Sequence, residues 1–252
     1  MLIMIDQSSL EKFDSQGMYK VYDIWPQIAK ESYFSNLSQV EYHKCNHIVF
    51  AGMGGSGAIG DIFSAILSKT NTHVTVVKGY HLPKTVTVDS VVVVTSLSGN
   101  TVETISMLEN AIQIKSKIIV FSDGGKIKEI CMKENIPHRN IKKYHSPRAS
   151  FTSLLYGMLN ILKPIIPINE TDILESINKM ESISKKINSK NISKENPAIE
   201  ISEWIENIPV VYYPWGLEAV AIRFKNSLQE NSKIQTIVED VIESCHNGIV
   251  TW

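Results

Sequence analysis

Four apolar, largely β-branched runs recur along the first half of the chain, and stretches with helical spacing lie among them. That alternation leaves few folds open. "HIVFAG" from His47, "HVTVVK" from His73, "SVVVVTS" from Ser90 and "KIIVFSD" from Lys117 read as strands. "AIGDIFSAILSKT", "TVETISMLENAIQIK" and "GKIKEICMKEN" read as amphipathic helices, and "SFTSLLYGMLNIL" as a further apolar helix stopped by Pro164 and Pro167. Strands alternating with helices predict an α/β fold, a doubly wound parallel sheet. "SVVVVTS" is apolar enough at every position to lie at the centre of that sheet, covered on both faces.

The flanking segments differ. The first ~45 residues are helical in pattern and polar, with scattered apolar positions. After "ETDILESINKMESISKKINSKNISKENP", a polar helix running into a Lys- and Asn-rich connector, the early rhythm returns in "IPVVYYPWGLEAVAIRFKNSLQEN": buried strand, a turn with Gly216, amphipathic helix. "KIQTIVED" is one more strand candidate. The expected organisation is an N-terminal helical segment plus α/β domain over residues 1–165, then a connector helix and a second, abbreviated α/β unit over 166–252. With 252 residues, 43% of them hydrophobic, the chain has material for one large or two small cores.

Composition excludes several function classes. The formal net charge is -1, and no block of like charge stands out, so nothing favours a nucleic-acid partner. No apolar run approaches the roughly 18 residues of a membrane span, and no basic region precedes a long apolar one as in a signal peptide. Cys45, Cys131 and Cys245 are odd in number and far apart, which fits a reduced cytoplasmic protein better than a disulfide framework or a zinc site. Six histidines (His43, His47, His73, His81, His138, His145) match no motif, and their spacing suggests no metal cluster. Only three residues are arginine, Arg139, Arg148 and Arg223, so each is worth individual scrutiny.

Two polar loops interrupt this framework. "FAGMGGSGAIGD" carries G-x-G-x-x-G at Gly52, Gly54 and Gly57 between a strand and a helix. A dinucleotide site would also need an acid at the end of the next strand to hold the ribose; that strand ends in Lys78 and Gly79. A nucleoside triphosphate site would need G-x-x-x-x-G-K-[ST], which does not occur. The second loop, "TSLSGNTVET", brings the hydroxyls of Ser96, Ser98 and Thr101 to a helix N-terminus, with Asn100 and Glu103 spaced as a capping pair. Hydroxyls and free backbone N–H groups there make a small dianion site without a metal. Taken singly, either loop could be an ordinary turn and cap. Two such loops at carboxyl ends of strands in one open sheet point to a ligand.

"GMGGSGAIGD" followed by "SLSGNTVET", then "SPRASF", "GLEAVAIRFKNSLQENSK" and "CHNGIVTW", resembles the sugar isomerase (SIS) domain proteins, and among them the bifunctional phosphoglucose/phosphomannose isomerases. The resemblance spans residues ~46 to 252. It implies a sugar-phosphate substrate, glucose 6-phosphate or fructose 6-phosphate with mannose 6-phosphate a further candidate, and no metal or organic cofactor. It implies that Ser96, Ser98 and Thr101 hold phosphate and that the backbone approaches the sugar at Gly55 and Ser56. Arg148 would stabilise an enediolate, Glu230 would be the base of a cis-enediol proton transfer, and His246 would assist ring opening from a neighbouring subunit of a homodimer. Arg148 has a structural ion pair as its alternative reading, and Glu230, read without the resemblance, is a solvated charge at a helix end.

The resemblance also departs in places. Gly248 stands where the family is usually acidic and Thr251 where it usually has glycine. The family continues beyond this motif and carries a C-terminal lysine in ring opening, whereas this sequence ends at Trp252. A half-built second sheet would expose edges and apolar surface for a partner subunit to cover. The rival expectation is a non-catalytic, phosphosugar-binding or degenerate SIS protein; an aminosugar-phosphate isomerase or lyase on the same fold is a third.

Overall fold

The computed structural model describes residues 5–41 and 45–251; His43 and Trp252, weighed above, lie outside them. The described chain opens with three helices, α1 (Gln7–Phe13), α2 (Met18–Asp23) and α3 (Trp25–Tyr33). Pro26 in the first turn of α3 costs no hydrogen bond there, and it makes "YKVYDIWPQIAKESYF" two helices rather than one. The alternating part follows as β1 (His47–Gly52), α4 (Gly54–Leu67), β2 (His73–Val77), β3 (Val91–Thr95), α5 (Val102–Ile114), β4 (Lys117–Ser122), α6 (Gly125–Lys133), β5 (His138–Asn140) and α7 (Phe151–Ile161).

These five strands form one parallel sheet in the order β2-β1-β3-β4-β5. β3 is the middle strand and is buried at all five positions, as its continuous valines predict. Alternate residues divide between two cores. Ile48, Phe50, Val91, Val93, Ile119 and Phe121 face α3, α4 and α7. Val49, Ala51, Val92, Val94, Ile118 and Val120 face α5 and α6. The chain leaves β1 for β2 on one side and then returns to β3 on the other. The carboxyl ends of β1 and β3 therefore flank a crevice where the direction of winding reverses. β5 escaped the sequence pattern because its three residues, His-Arg-Asn, are polar, which an edge strand tolerates.

Beyond Pro164 and Pro167, α8 (Glu170–Ile187) starts with a capping box between Asn169 and Asp172. Its Ile173 and Ile177, one turn apart, join the core shared by α3 and α7. The Asn-rich connector holds another unforeseen element, α9 (Pro197–Trp204), capped by the Asn196 side chain accepting from Ala198 N at 2.9 Å. Then come β6 (Val210–Tyr213), α10 (Glu218–Ser227), β7 (Ile237–Asp240) and α11 (Val241–His246), with β6 and β7 paired in parallel as a separate two-stranded sheet. α10 packs on α4, and Glu218 and Ala219 at its start line a cleft with Ser64 and Ser68 near the end of α4. Trp204, Trp215, Val220, Ile242 and Val250 are more than half exposed.

Two histidines tie the sheet together. His47 reaches Ser90 Oγ at 3.0 Å and Thr75 Oγ1 at 2.9 Å across β1, β2 and the approach to β3; His138 reaches Ser122 Oγ at 2.7 Å between β5 and β4. Burial, then the charge of His73, lowers the His47 pKa from its ordinary 6.5. Burial, then Lys128 and Arg139, lowers that of His138. The fold prefers both rings neutral, while the unfolded chain takes up their protons at higher pH. Their contribution is therefore complete above 6.5 and is lost as pH falls from there through the folded-state values. We expect the urea midpoint to fall between about pH 7.5 and about pH 5.5, and the fall to shrink in a His47→Asn, His138→Asn double variant; an unchanged pH dependence in that variant would assign the loss to carboxylates instead.

Candidate functional site

The hydroxyl turn after β3 is built by its neighbours. Ser96 is buried, Thr101 half-buried and Ser98 exposed. Thr101 Oγ1 accepts from Ser96 Oγ at 3.1 Å and lies 3.5 Å from Ser98 Oγ, so the three hydroxyls form one cluster. The turn is braced from behind by the loop leading into α6. Asp123 N donates to Leu97 O at 3.1 Å, Ile127 N to Gly99 O at 2.9 Å, and Lys126 N to Asn100 Oδ1 at 3.0 Å. Gly99 has φ +68°, and a Cβ there would lie 1.8 Å from Gly124 O, so no other residue fits.

The expected capping pair does not form. Asn100 spends its side chain on Lys126 N and on Ser98 O, and Glu103 accepts from the Tyr80 hydroxyl at 3.3 Å. The N-cap of α5 is Thr101, which makes no side-chain cap bond because its hydroxyl belongs to the cluster. α4 likewise starts without a side-chain cap, after Met53, at Gly54, Gly55 and Ser56. Two helices of more than ten residues thus direct uncapped N-termini into the crevice between β1 and β3. Partial positive charge there favours an anion, the more so beside three hydroxyls. Lys78, where a dinucleotide site would want an acid, lays its stem against Gly57 and pairs with Asp61 at 2.5 Å.

A second group of residues meets where the segment entering α7 faces the end of α10. Arg148 lies in the segment entering α7, which Ser150 closes by accepting from Tyr144 N at 2.7 Å and donating toward Ser146 O at 2.8 Å and Tyr144 O at 2.9 Å. Glu230 lies in a π-turn, Leu228–Ser232, that ends α10, and the Lys233 ammonium donates to its carbonyl at 2.7 Å. Such turns recur at functional sites because they aim a side chain off the helix register. Arg148 Nη1 and Glu230 Oε2 stand 3.7 Å apart, with side chains 35% and 44% exposed. An ion pair so long and so wet contributes under about 1 kcal/mol. It does not serve as a structural clamp and leaves both groups available to a ligand. They line a groove of about 780 Å³ with Met18, Tyr22, His145 and Asn231.

Arg223, one of the three arginines singled out in the sequence, was given no role by sequence reasoning. It lies on α10, and its Nη2 donates to Arg148 O at 2.9 Å, while its guanidinium sits 4.6 Å over the Phe151 ring. His145, assigned to no motif, lines the groove at a left-handed φ of 53°. His246, by contrast, ends α11 in solvent and does not line the groove with Arg148 and Glu230. Its neighbour Cys245 is exposed, whereas burial pushes the Cys131 thiol up to about 11.

Fold and site together define a SIS-domain protein. Residues 41–127 match the SIS domain family, and residues 194–252 match the bacterial phospho-glucose isomerase C-terminal SIS domain. The chain belongs to the bifunctional phosphoglucose/phosphomannose isomerase family: it is 32% identical to such a protein from Aquifex aeolicus (strain VF5), covering 94% of this chain and 68% of that one. The corresponding protein of Pyrobaculum calidifontis is 31% identical, over 84% of this chain and 64% of its own. The chain thus spans about two thirds of the length of these curated relatives. Among solved structures, the C-terminal domain of glucosamine-fructose-6-phosphate aminotransferase from Francisella tularensis shares the fold, with a TM-score of 0.67, 15% identity, and 93% of this chain and 72% of that one covered.

The brace behind the hydroxyl turn is testable. Gly54→Ala, at φ +55° with open space around the new methyl, should cost the ~1–2 kcal/mol of a left-handed alanine. Gly99→Ala adds the clash with Gly124 and should cost clearly more, on the order of 3 kcal/mol or above, in urea unfolding. Equal losses would mean that the two loops are not interlocked.

Proposed function

We propose that this chain interconverts glucose 6-phosphate and fructose 6-phosphate, and mannose 6-phosphate with them, by an aldose–ketose isomerisation. The observation that carries the reading is the pair Arg148 and Glu230, held 3.7 Å apart on a groove and committed to no strong structural contact through either charged end. Ser96, Ser98 and Thr101, with the uncapped start of α5, hold the phosphate; Gly55 and Ser56 let the backbone approach the sugar. In the open-chain aldose, the Glu230 carboxylate takes the proton from C2, leaving a cis-enediolate, and returns it to C1 while the O2 hydroxyl proton passes to O1, which gives the ketose. The Arg148 guanidinium offsets the negative charge that develops on the enediolate oxygens. His246 passes a proton during ring opening. None of these steps calls on a metal or organic cofactor.

Placing His246 at a site it does not reach within its own chain requires a second copy, and the exposed apolar side chains of residues 204–250 suit such an interface. The homodimer, the division at residues 165 and 166, a cytoplasmic location and a place in glycolysis and gluconeogenesis belong to the same reading. Among the described residues no helix is long and apolar enough to cross a membrane.

A second reading is a phosphosugar-binding protein without turnover, which keeps the hydroxyl turn and leaves His246 outside the groove of Arg148 and Glu230. A coupled assay with fructose 6-phosphate alongside calorimetric binding separates the two. We expect turnover in the wild type, and a fall of about a hundredfold or more in Glu230→Gln with binding retained. Binding without wild-type turnover would establish the second reading, and an undiminished Glu230→Gln would remove the carboxylate from the mechanism.

A further inference from the structure

We propose that Arg223 is the positioning residue of this site: from α10 it fixes the backbone of Arg148 and so sets where the Arg148 guanidinium points. The inference rests on the isomerase reading for its kinetic consequence, though not for its geometry.

Arg223 and Arg148 are like charges, and their proximity needs a reason. Arg223 Nη2 donates to Arg148 O at 2.9 Å, a charge-assisted bond across 75 residues of sequence. The guanidinium lies 4.6 Å over the ring of Phe151, the first residue of α7, three residues beyond Arg148. One planar cation thereby clasps both the segment carrying Arg148 and the helix that follows. Arg223 is also on the helix whose π-turn carries Glu230, seven residues on. The two groups that meet across the groove come from distant segments, and Arg223 joins those segments through its bond to Arg148 O. Burial disfavours its charge, with Tyr22 and Glu230 partly offsetting the penalty. Trp25 adds a second tether by donating from Nε1 to Ala149 O at 2.6 Å. Among the described residues the Arg148 side chain has a weak acceptor, Met18 Sδ at 3.3 Å from its Nε, and the long contact to Glu230. Its side chain therefore depends on its backbone being held.

The planar fork and the stack are properties of arginine that lysine lacks. Arg223→Lys keeps the charge and can keep one donor; Arg223→Met keeps stem volume only. With three arginines in the sequence, the side-chain Nε–H region of a ¹⁵N spectrum should hold three signals, those of Arg139, Arg148 and Arg223, assigned by single Arg→Lys variants. In Arg223→Met the Arg148 signal should shift or broaden while that of Arg139, which donates to Ser38 O at 3.0 Å, stays in place. Arg223→Lys should show a smaller change in the same direction. In the coupled assay kcat should fall on the order of tenfold to a hundredfold in Arg223→Met with KM for fructose 6-phosphate little changed, and less in Arg223→Lys. A merely structural role would lower the folded fraction and leave KM, the per-folded-molecule kcat and the Arg148 signal as in wild type, and that result overturns the proposal. Should Arg223→Met not fold, the Arg148 signal and the KM-against-kcat split of Arg223→Lys decide by the same criteria. Should the wild type show no turnover, the isomerase reading falls, while an unmoved Arg148 signal would still overturn the positioning role and a moved one would sustain it.

Discussion

The burial of β3 on both faces is the constraint from which the rest of this molecule follows. Five consecutive residues, Val91–Thr95, are withdrawn from water, and their backbone groups must find partners in β1 and β4. A strand so enclosed must end in a turn that leaves the sheet, and the turn emerges beside the end of β1 because those two strands are paired. The anion crevice is therefore a product of strand order. Two helix starts and three hydroxyls converge there because the valines before them cannot be anywhere else.

The second group of residues obeys a different logic. Arg148 and Glu230 come from segments about eighty residues apart in sequence and meet through helix packing, with α10 packed on α4 and Arg223 bridging to the entry of α7. Hydrophobic burial fixes the sheet coarsely, but the meeting of two charges at a groove relies on a few directed contacts. A cation drawn half out of water is a costly device, and here it is placed where it ties together the two segments that the proposed chemistry needs side by side.

Much of this was legible in the sequence, for identifiable reasons. β1, β3 and β4 announced themselves because a parallel strand covered on both faces must be apolar at successive positions, and β2, at the sheet edge, by its β-branched run. The hydroxyl turn was legible as a feature because Ser, Gly and Thr cluster between an apolar strand and a helix, beside a second glycine-rich loop. β5 was not, since an edge of three polar residues carries no pattern, and α9 was hidden in a polar connector where Asn196 gave the cap. The misread cap at Asn100 is instructive. Local spacing favoured a pairing with Glu103, but a donor 26 residues away, Lys126 N, took the side chain instead. Arg223 was set aside for the same reason: its partner lies 75 residues off, and no local rule registers such a contact.

The interlock between Gly99 and the segment around Gly124 has a thermodynamic corollary. A loop stitched to its neighbour by three backbone donors has already surrendered its conformational freedom during folding. Capture of an anion then requires no further ordering of the main chain, so more of the intrinsic attraction survives as affinity. Rigidity of this kind also constrains divergence: a change in the shape of one loop would have to be matched in the other, which steers variation in ligand choice toward the groove side of the molecule.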